Sequence, residues 1–232
     1  LFVQGPDFFK SPEKFLVNNI RNLKADSFLS LAFLFCSNEI EEEYLSPSQI
    51  KECKKYSTVL EELAKYLHIS FDESTMISLR QSYEHYSGLY VKKVLSCQHQ
   101  SRGEVSKSCI QFSHTTVYEA VGHVLGDTCP EMVVKYGNSG YLYRRTYTAK
   151  AKNADSHNVF IPVSVFGLLA ERMVQDVVEK RIIKSVVKHS ALKEDQFLWK
   201  LKDELHKVNR MRDFFMAESR YSQGIMFWHV SN

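Results

Sequence analysis

Several familiar devices are missing from this sequence, and their absence narrows the reading. There is no G-x-x-x-x-G-K-S/T loop and no G-x-G-x-x-G fingerprint, so no backbone cradle for nucleotide phosphates is legible. A chain without a phosphate loop is a poor candidate to hydrolyse ATP unaided. G-x-S-x-G is absent as well. Proline and glycine are scarce, 5 and 9 in 232 residues, which favours long helices over a many-turned β architecture. The 5 cysteines are odd in number and none form C-x-x-C, which points to a reduced, cytoplasmic setting rather than a disulfide framework. No secretory signal is present. The most apolar run, Phe28 to Cys36, is far short of the roughly 20 residues a membrane span needs. Strong charge is missing too: a net +3 is too mild to imply nucleic acid or an anionic membrane.

What is present is ordinary globular material. Hydrophobic residues make up 44% of the chain, enough for one sizeable core or two small ones. The start at Leu1 and the apolar Ile225-Met226-Phe227-Trp228 near the end both differ from the polar ends usual in natural chains, so a fragment of a longer protein is expected.

Ser11-Pro12-Glu13 is a helix start, and the helix is expected to stop near Ala25. Asp26 or Ser27 should cap a second helix to about Asn38, apolar almost all round and therefore central to a core. Ser46-Pro47-Ser48-Gln49 opens a third, with Ile50, Cys53, Tyr56, Val59, Leu60, Leu63 and Leu67 on one stripe. A fourth starts between Ser70 and Glu73 and ends at Gly88. Leu89–Leu95 reads as a strand, a polar loop of about twelve residues follows, and Cys109–His114 returns. Three helices followed by a hairpin is the order of a winged helix. Thr116-x-x-Glu119 is a capping box for a helix ending at Gly126. Pro130–Tyr136 is a short helix, Asn138-Ser139-Gly140 a turn, Tyr141–Tyr147 an irregular strand and Lys150–Asn158 an exposed loop. Beyond Pro162, apolar stripes predict one buried helix reaching Val186, then a more polar helix from Glu194 to Arg220.

The expected fold is thus mainly α with a small β-hairpin: a connecting helix over residues 1–25, a winged-helix domain over 26–114 and a helical domain over 115–232 that leads toward repeats.

Candidate chemistry is sparse. Ser113 and His114 are adjacent, and neighbours in a strand point to opposite faces, so they make no nucleophile–base pair. Cys97, His99, Cys109 and His114 are soft ligands without a finger spacing; they read as buried thiols and unrelated histidines, with no metal site. Basic residues gather at Arg144, Arg145, Lys150 and Lys152, and again at Lys180, Arg181, Lys184 and Lys188, the latter complementing a helix C-terminus. The third helix of the winged region carries Arg80 against Asp72, Glu73 and Glu84, which argues against DNA reading. His114 ends a strand just before a helix N-terminus, where an imidazole and backbone N–H groups can meet an anion or simply satisfy the junction.

Phe112-Ser113-His114-Thr115-Thr116-Val117-Tyr118-Glu119-Ala120-Val121 resembles the F-x-H-x-x-V/F-Y/Q-E-F/A segment that closes the winged-helix region of STAND-class NTPases, the nucleotide-switched ATPases related to NACHT proteins. Phe8-Phe9-x-x-Pro12, the Phe28–Cys36 helix, Val91-Lys92-Lys93, and Tyr141-Leu142 through Phe160-Ile161-Pro162 to Leu168 keep the order of uncharacterised invertebrate members. The resemblance implies a non-catalytic regulatory fragment in signal transduction of the innate-immune kind. Its partners would be an NTPase domain upstream, repeats downstream and further copies on activation. ATP or ADP and Mg would bind in the parent protein, with no cofactor in this stretch. His114 would be the nucleotide-sensing residue, meeting the β-phosphate of ADP in the closed state. A free-standing winged-helix nucleic-acid binder or a helical scaffold is the competing reading.

Overall fold

The computed structural model describes residues 11–100, 103–148, 158–179 and 183–208, with backbone alone at 47, 96–100, 103–106, 183 and 184. By packing these divide into a first unit, 11–138 with 158–159, and a second, 139–148 with the described residues from Phe160 onward.

In the first unit, α1 (Pro12–Arg21) opens on proline with Glu13 in its first turn, as read, but ends at Arg21. The next helix, α2 (Ala25–Ser37), begins after Lys24, so neither Asp26 nor Ser27 is its cap. Apolar all round, it is the centre of this core: every residue from Phe28 to Ser37 is buried. It stops at Asn38, φ 63°, a left-handed conformation that asparagine tolerates.

A short strand that the hydrophobic pattern does not announce follows, β1 (Ile40–Glu41), then a 3-10 helix, Glu42–Leu45. Ser46 accepts the Gln49 N–H and opens α3 (Pro47–Glu52). The single long helix expected here is two. Cys53 is extended (φ −80°, ψ 93°), and α4 (Lys54–Tyr66) starts after it. Ile50 and the Tyr56, Val59, Leu60, Leu63 stripe are all buried, so the break preserves the apolar face that periodicity detects.

Asp72 caps α5 (Glu73–Tyr86) by accepting the Thr75 N–H at 3.0 Å. Tyr83, fully buried, donates its hydroxyl to the Ser30 carbonyl of α2 at 2.6 Å. Tyr83→Phe is expected to lower stability by about 1 kcal/mol, the net value of a buried hydrogen bond. Urea denaturation checks this; no shift in midpoint would mean that ring packing alone holds α5 on α2.

Gly88 (φ 79°) turns the chain into β2 (Val91–Gln100), which pairs antiparallel with β3 (Gly103–Phe112) from Val91↔Phe112 to Gln100↔Gly103. The polar loop of the sequence reading is therefore mostly strand, leaving Ser101 and Arg102 outside the described residues. Polar residues from Ser96 to Lys107 carry no alternation that would betray a strand. β1 pairs with β3 (Ile40↔Ile110, Glu41↔Cys109), making a three-stranded sheet in the order β1-β3-β2 rather than a bare hairpin.

Then come α6 (Thr115–Thr128) and α7 (Pro130–Tyr136). Arg21 of α1 pairs with Asp127 at 2.6 Å, and Phe35 of α2 stacks on Tyr118 with ring centroids 4.5 Å apart. The boundary expected at 114/115 therefore falls inside the first unit, since α6 packs on α1 and α2. Gly126 lies within α6 instead of ending it; a Cβ there would collide with the Val159 side chain, so close packing explains the glycine.

The second unit opens with α8 (Ser139–Arg145), where the sequence reads as a turn and an irregular strand. Tyr141, Leu142 and Tyr143 are consecutive and all buried, which fits no one-faced strand. The strand β4 (Thr146–Tyr147) follows; the loop expected at Lys150–Asn158 lies outside the described residues apart from Asn158. The chain passes from the first unit to the second within β5 (Val159–Phe160). A 3-10 helix, Val163–Val165, leads into α9 (Phe166–Val178), which ends at Val178 rather than continuing to Val186. After the short α10 (Ile183–Val186) and a 3-10 helix, Ser190–Lys193, comes α11 (Asp195–Lys207). It packs on α9 through Phe197 edge-on to Phe166, with Leu201 and Leu205 also buried. The rest of the helix expected to reach Arg220, and Phe227 and Trp228, lie outside the described residues. Among those described, no helix is long and apolar enough to cross a membrane.

Candidate functional site

β3 ends at Phe112, and the junction to α6 is made by the next two side chains. Ser113 donates its hydroxyl to the Leu89 carbonyl at 3.0 Å, which commits it to closing the hairpin base. His114 is extended (φ −150°, ψ 150°) and is the N-cap of α6, in place of the Thr116 capping box expected from sequence. Its Nδ1 accepts the Thr116 N–H at 3.1 Å and lies 2.8 Å from Thr116 Oγ1. The imidazole is exposed at the start of a fourteen-residue helix, where N–H dipoles favour an anion. Below it the junction is packed: Phe112 lies edge-on to Tyr118, whose hydroxyl accepts the Asn138 N–H at 3.1 Å.

Around the sheet Lys93 and Lys107 are paired with the acids beside β1. Lys107 donates to Glu41 at 2.5 Å and to Glu43 at 3.1 Å, Ser108 donates to Glu42 at 2.7 Å, and Gln111 to Glu39 at 3.0 Å. Lys93 bonds Glu42 and holds that carboxyl below its usual range; Lys107 does the same to Glu43. The acidic run 39–43 thus laces β1 to the hairpin.

The backbone register does not bring the soft-ligand positions together. The register places Cys97 opposite Ser106 and His99 opposite Glu104, toward the hairpin tip, whereas Cys109 lies opposite Val94 near its base. The Cys97 and His99 side chains lie outside the described residues; among those described, no three His, Cys, Asp or Glu side chains group to hold a metal. Burial pushes the Cys36 thiol far up and that of Cys129 up to about 11, so neither offers a thiolate nucleophile near neutral pH. Of the basic groups, Arg144 and Arg145 close α8, while Lys150, Lys152, Lys180 and Arg181 lie outside the described residues, as does the Lys184 side chain.

Two buried polar networks in the second unit escape the sequence reading. Asp176 of α9 has no exposed surface. It accepts the Tyr143 hydroxyl at 2.7 Å and the Arg172 Nε at 3.3 Å, and Arg172 also reaches Ser139 Oγ at 3.3 Å. His189, 3% exposed, caps the 3-10 helix by accepting the Ala191 N–H at 3.2 Å, and its Nε2 lies 2.9 Å from Thr146 Oγ1. Burial lowers its pKa to about 4. The available signal for Asp176 is its place on the apolar face with Met173 and Val177, four residues after an arginine. Their positions and partners mark both networks as structural, which leaves His114 as the exposed candidate.

No protein-family model, no curated protein and no solved structure matches the chain.

Proposed function

We propose that this chain is a regulatory, non-catalytic part of a nucleotide-switched signalling NTPase, in which a winged-helix module senses bound ADP through His114. The first unit runs helix, short strand, helices, hairpin, with the first strand beside the last, and this order is compatible with a winged helix. The observation that carries the reading is the His114 ring: Nδ1 is committed to Thr116, and Nε2 has no partner among the described residues. A nucleic-acid role is less favoured, because Arg80 is paired with Glu84 at 3.3 Å and Lys93 and Lys107 face the acidic run.

In this mechanism ADP bridges an upstream ATPase core and His114, holding the closed state; exchange for ATP removes the differential contact, and the module swings as a body. In the natural full-length protein, His114→Ala is expected to speed ADP release about tenfold or more, the value of one hydrogen bond to a charged group. His114→Ser keeps an N-cap without the imidazole and should behave alike. Unchanged ADP retention and basal signalling in both variants would reject the reading. So would an upstream transcript with no G-x-x-x-x-G-K-S/T loop.

A further inference from the structure

We propose that Thr116 is a positioning residue. It holds the His114 imidazole as the Nε2–H tautomer, so that the ring can only donate from its outer nitrogen and meets an oxygen able to accept. That this oxygen belongs to a nucleoside-diphosphate phosphate rests on the switch reading above; the tautomer assignment does not.

The reasoning starts from what can donate. A backbone N–H has no acceptor capacity, so the 3.1 Å contact from Thr116 N biases Nδ1 toward an unprotonated acceptor, a bias that the Thr116 hydroxyl has to complete. The neutral ring then carries its proton on Nε2. Thr116 Oγ1 is closer still, at 2.8 Å, and with Nδ1 unprotonated the hydroxyl is the group that donates in that contact. The hydroxyl and the amide therefore act on one lone pair and pin the ring plane as well as the proton.

The chain contains its own comparison. His189 uses the same cap, Nδ1 accepting the N–H two residues on, but the residue there is Ala191. Its Nε2–H is given to Thr146 Oγ1 at 2.9 Å, and Thr146 passes its hydrogen to the Leu142 carbonyl at 2.7 Å. Alanine at this position shows that the cap needs no hydroxyl. At His189 the ring is buried and held from its outer nitrogen. At His114 the ring is exposed and the outer nitrogen meets no group among the described residues, so the hydroxyl of Thr116 supplies from inside the orientation that burial supplies to His189. A capping role alone does not account for this difference. A donor fixed in direction and tautomer before its ligand arrives loses less freedom on binding.

The test uses the natural full-length protein with histidine nitrogens labelled, together with Thr116→Val, Thr116→Ser and His114→Ala variants. In the unaltered protein the His114 Nδ1 resonance should be that of an unprotonated ring nitrogen and Nε2 that of a protonated one. Thr116→Val, isosteric but without the hydroxyl, should shift both toward a tautomer mixture and speed ADP release about fivefold, the value of one neutral hydrogen bond. Thr116→Ser should restore both readouts, which a loss of folding would not allow. If Thr116→Val matches the unaltered protein in resonances and in ADP release while His114→Ala still releases ADP faster, the positioning role is wrong and the switch reading survives. If the resonances move but neither Thr116→Val nor His114→Ala alters ADP release, the nucleotide reading fails and takes the proposed ligand with it.

Discussion

Asp176→Ala is expected to destabilise the second unit by about 3–5 kcal/mol, the usual cost of removing one member of a buried ion pair. The carboxylate has no exposed surface and is bonded by Arg172 from the preceding turn of α9 and by Tyr143 from α8. Its removal leaves the Arg172 charge, whose side chain is 13% exposed, to find new solvation. It also strands the Tyr143 hydroxyl, which burial and then the Asp176 bond hold protonated well above the ordinary tyrosine range. Asp176→Asn keeps an acceptor for Tyr143 and should cost less. Adding Tyr143→Phe to Asp176→Ala should cost less than the two single changes added together, because the orphaned hydroxyl is then gone. Denaturant unfolding of the four variants settles the matter: a loss below about 1 kcal/mol for Asp176→Ala would mean that water already satisfies the site.

The same network explains the limits of reading this fold from sequence. Apolar periodicity finds elements whose buried face is local: α2, buried from Phe28 to Ser37, and the stripes of α4, α5 and α9. It does not register events fixed by the backbone alone. Cys53 breaks a helix while the stripe continues through it, and the β2–β3 hairpin extends through polar residues whose sequence carries no alternation. Tyr141-Leu142-Tyr143 has strand-forming residues but three successive buried side chains, and packing made it a helix. Strand β1 is only Ile40 and Glu41, inside an acidic run whose partners lie more than fifty residues away. At the candidate site, sequence places His114 at a strand-to-helix junction. The N-cap role and the Thr116 contact that sets its tautomer are short-range facts, two residues apart, hidden because Thr116-x-x-Glu119 offers a competing capping pattern.

Between pH 6.5 and pH 4 the second unit is expected to lose about 3 kcal/mol of stability through His189 alone. Burial lowers its pKa from 6.5 to about 4. Among the described residues, the groups that face the ring are the Thr146 hydroxyl, the Ala191 N–H and the edge of Tyr143, with ring centroids 6.0 Å apart. None of them offers a negative charge to an imidazolium. In that pH window the unfolded chain binds a proton at this histidine and the folded chain does not, so stability rises with pH and is complete above about 6.5. By pH 5 the loss should be about 2 kcal/mol. Protonation would also take the Nδ1 lone pair from Ala191, so the 3-10 helix Ser190–Lys193 should open with the charge rather than after it. His189→Gln should be less stable at pH 7.5, having lost the capping nitrogen, yet should lose less than the unaltered chain on going to pH 5. Thermal melts of both proteins at the two pH values isolate the difference. Equal losses would show that the proton finds another site, and that the buried imidazole is not what makes this unit acid-sensitive.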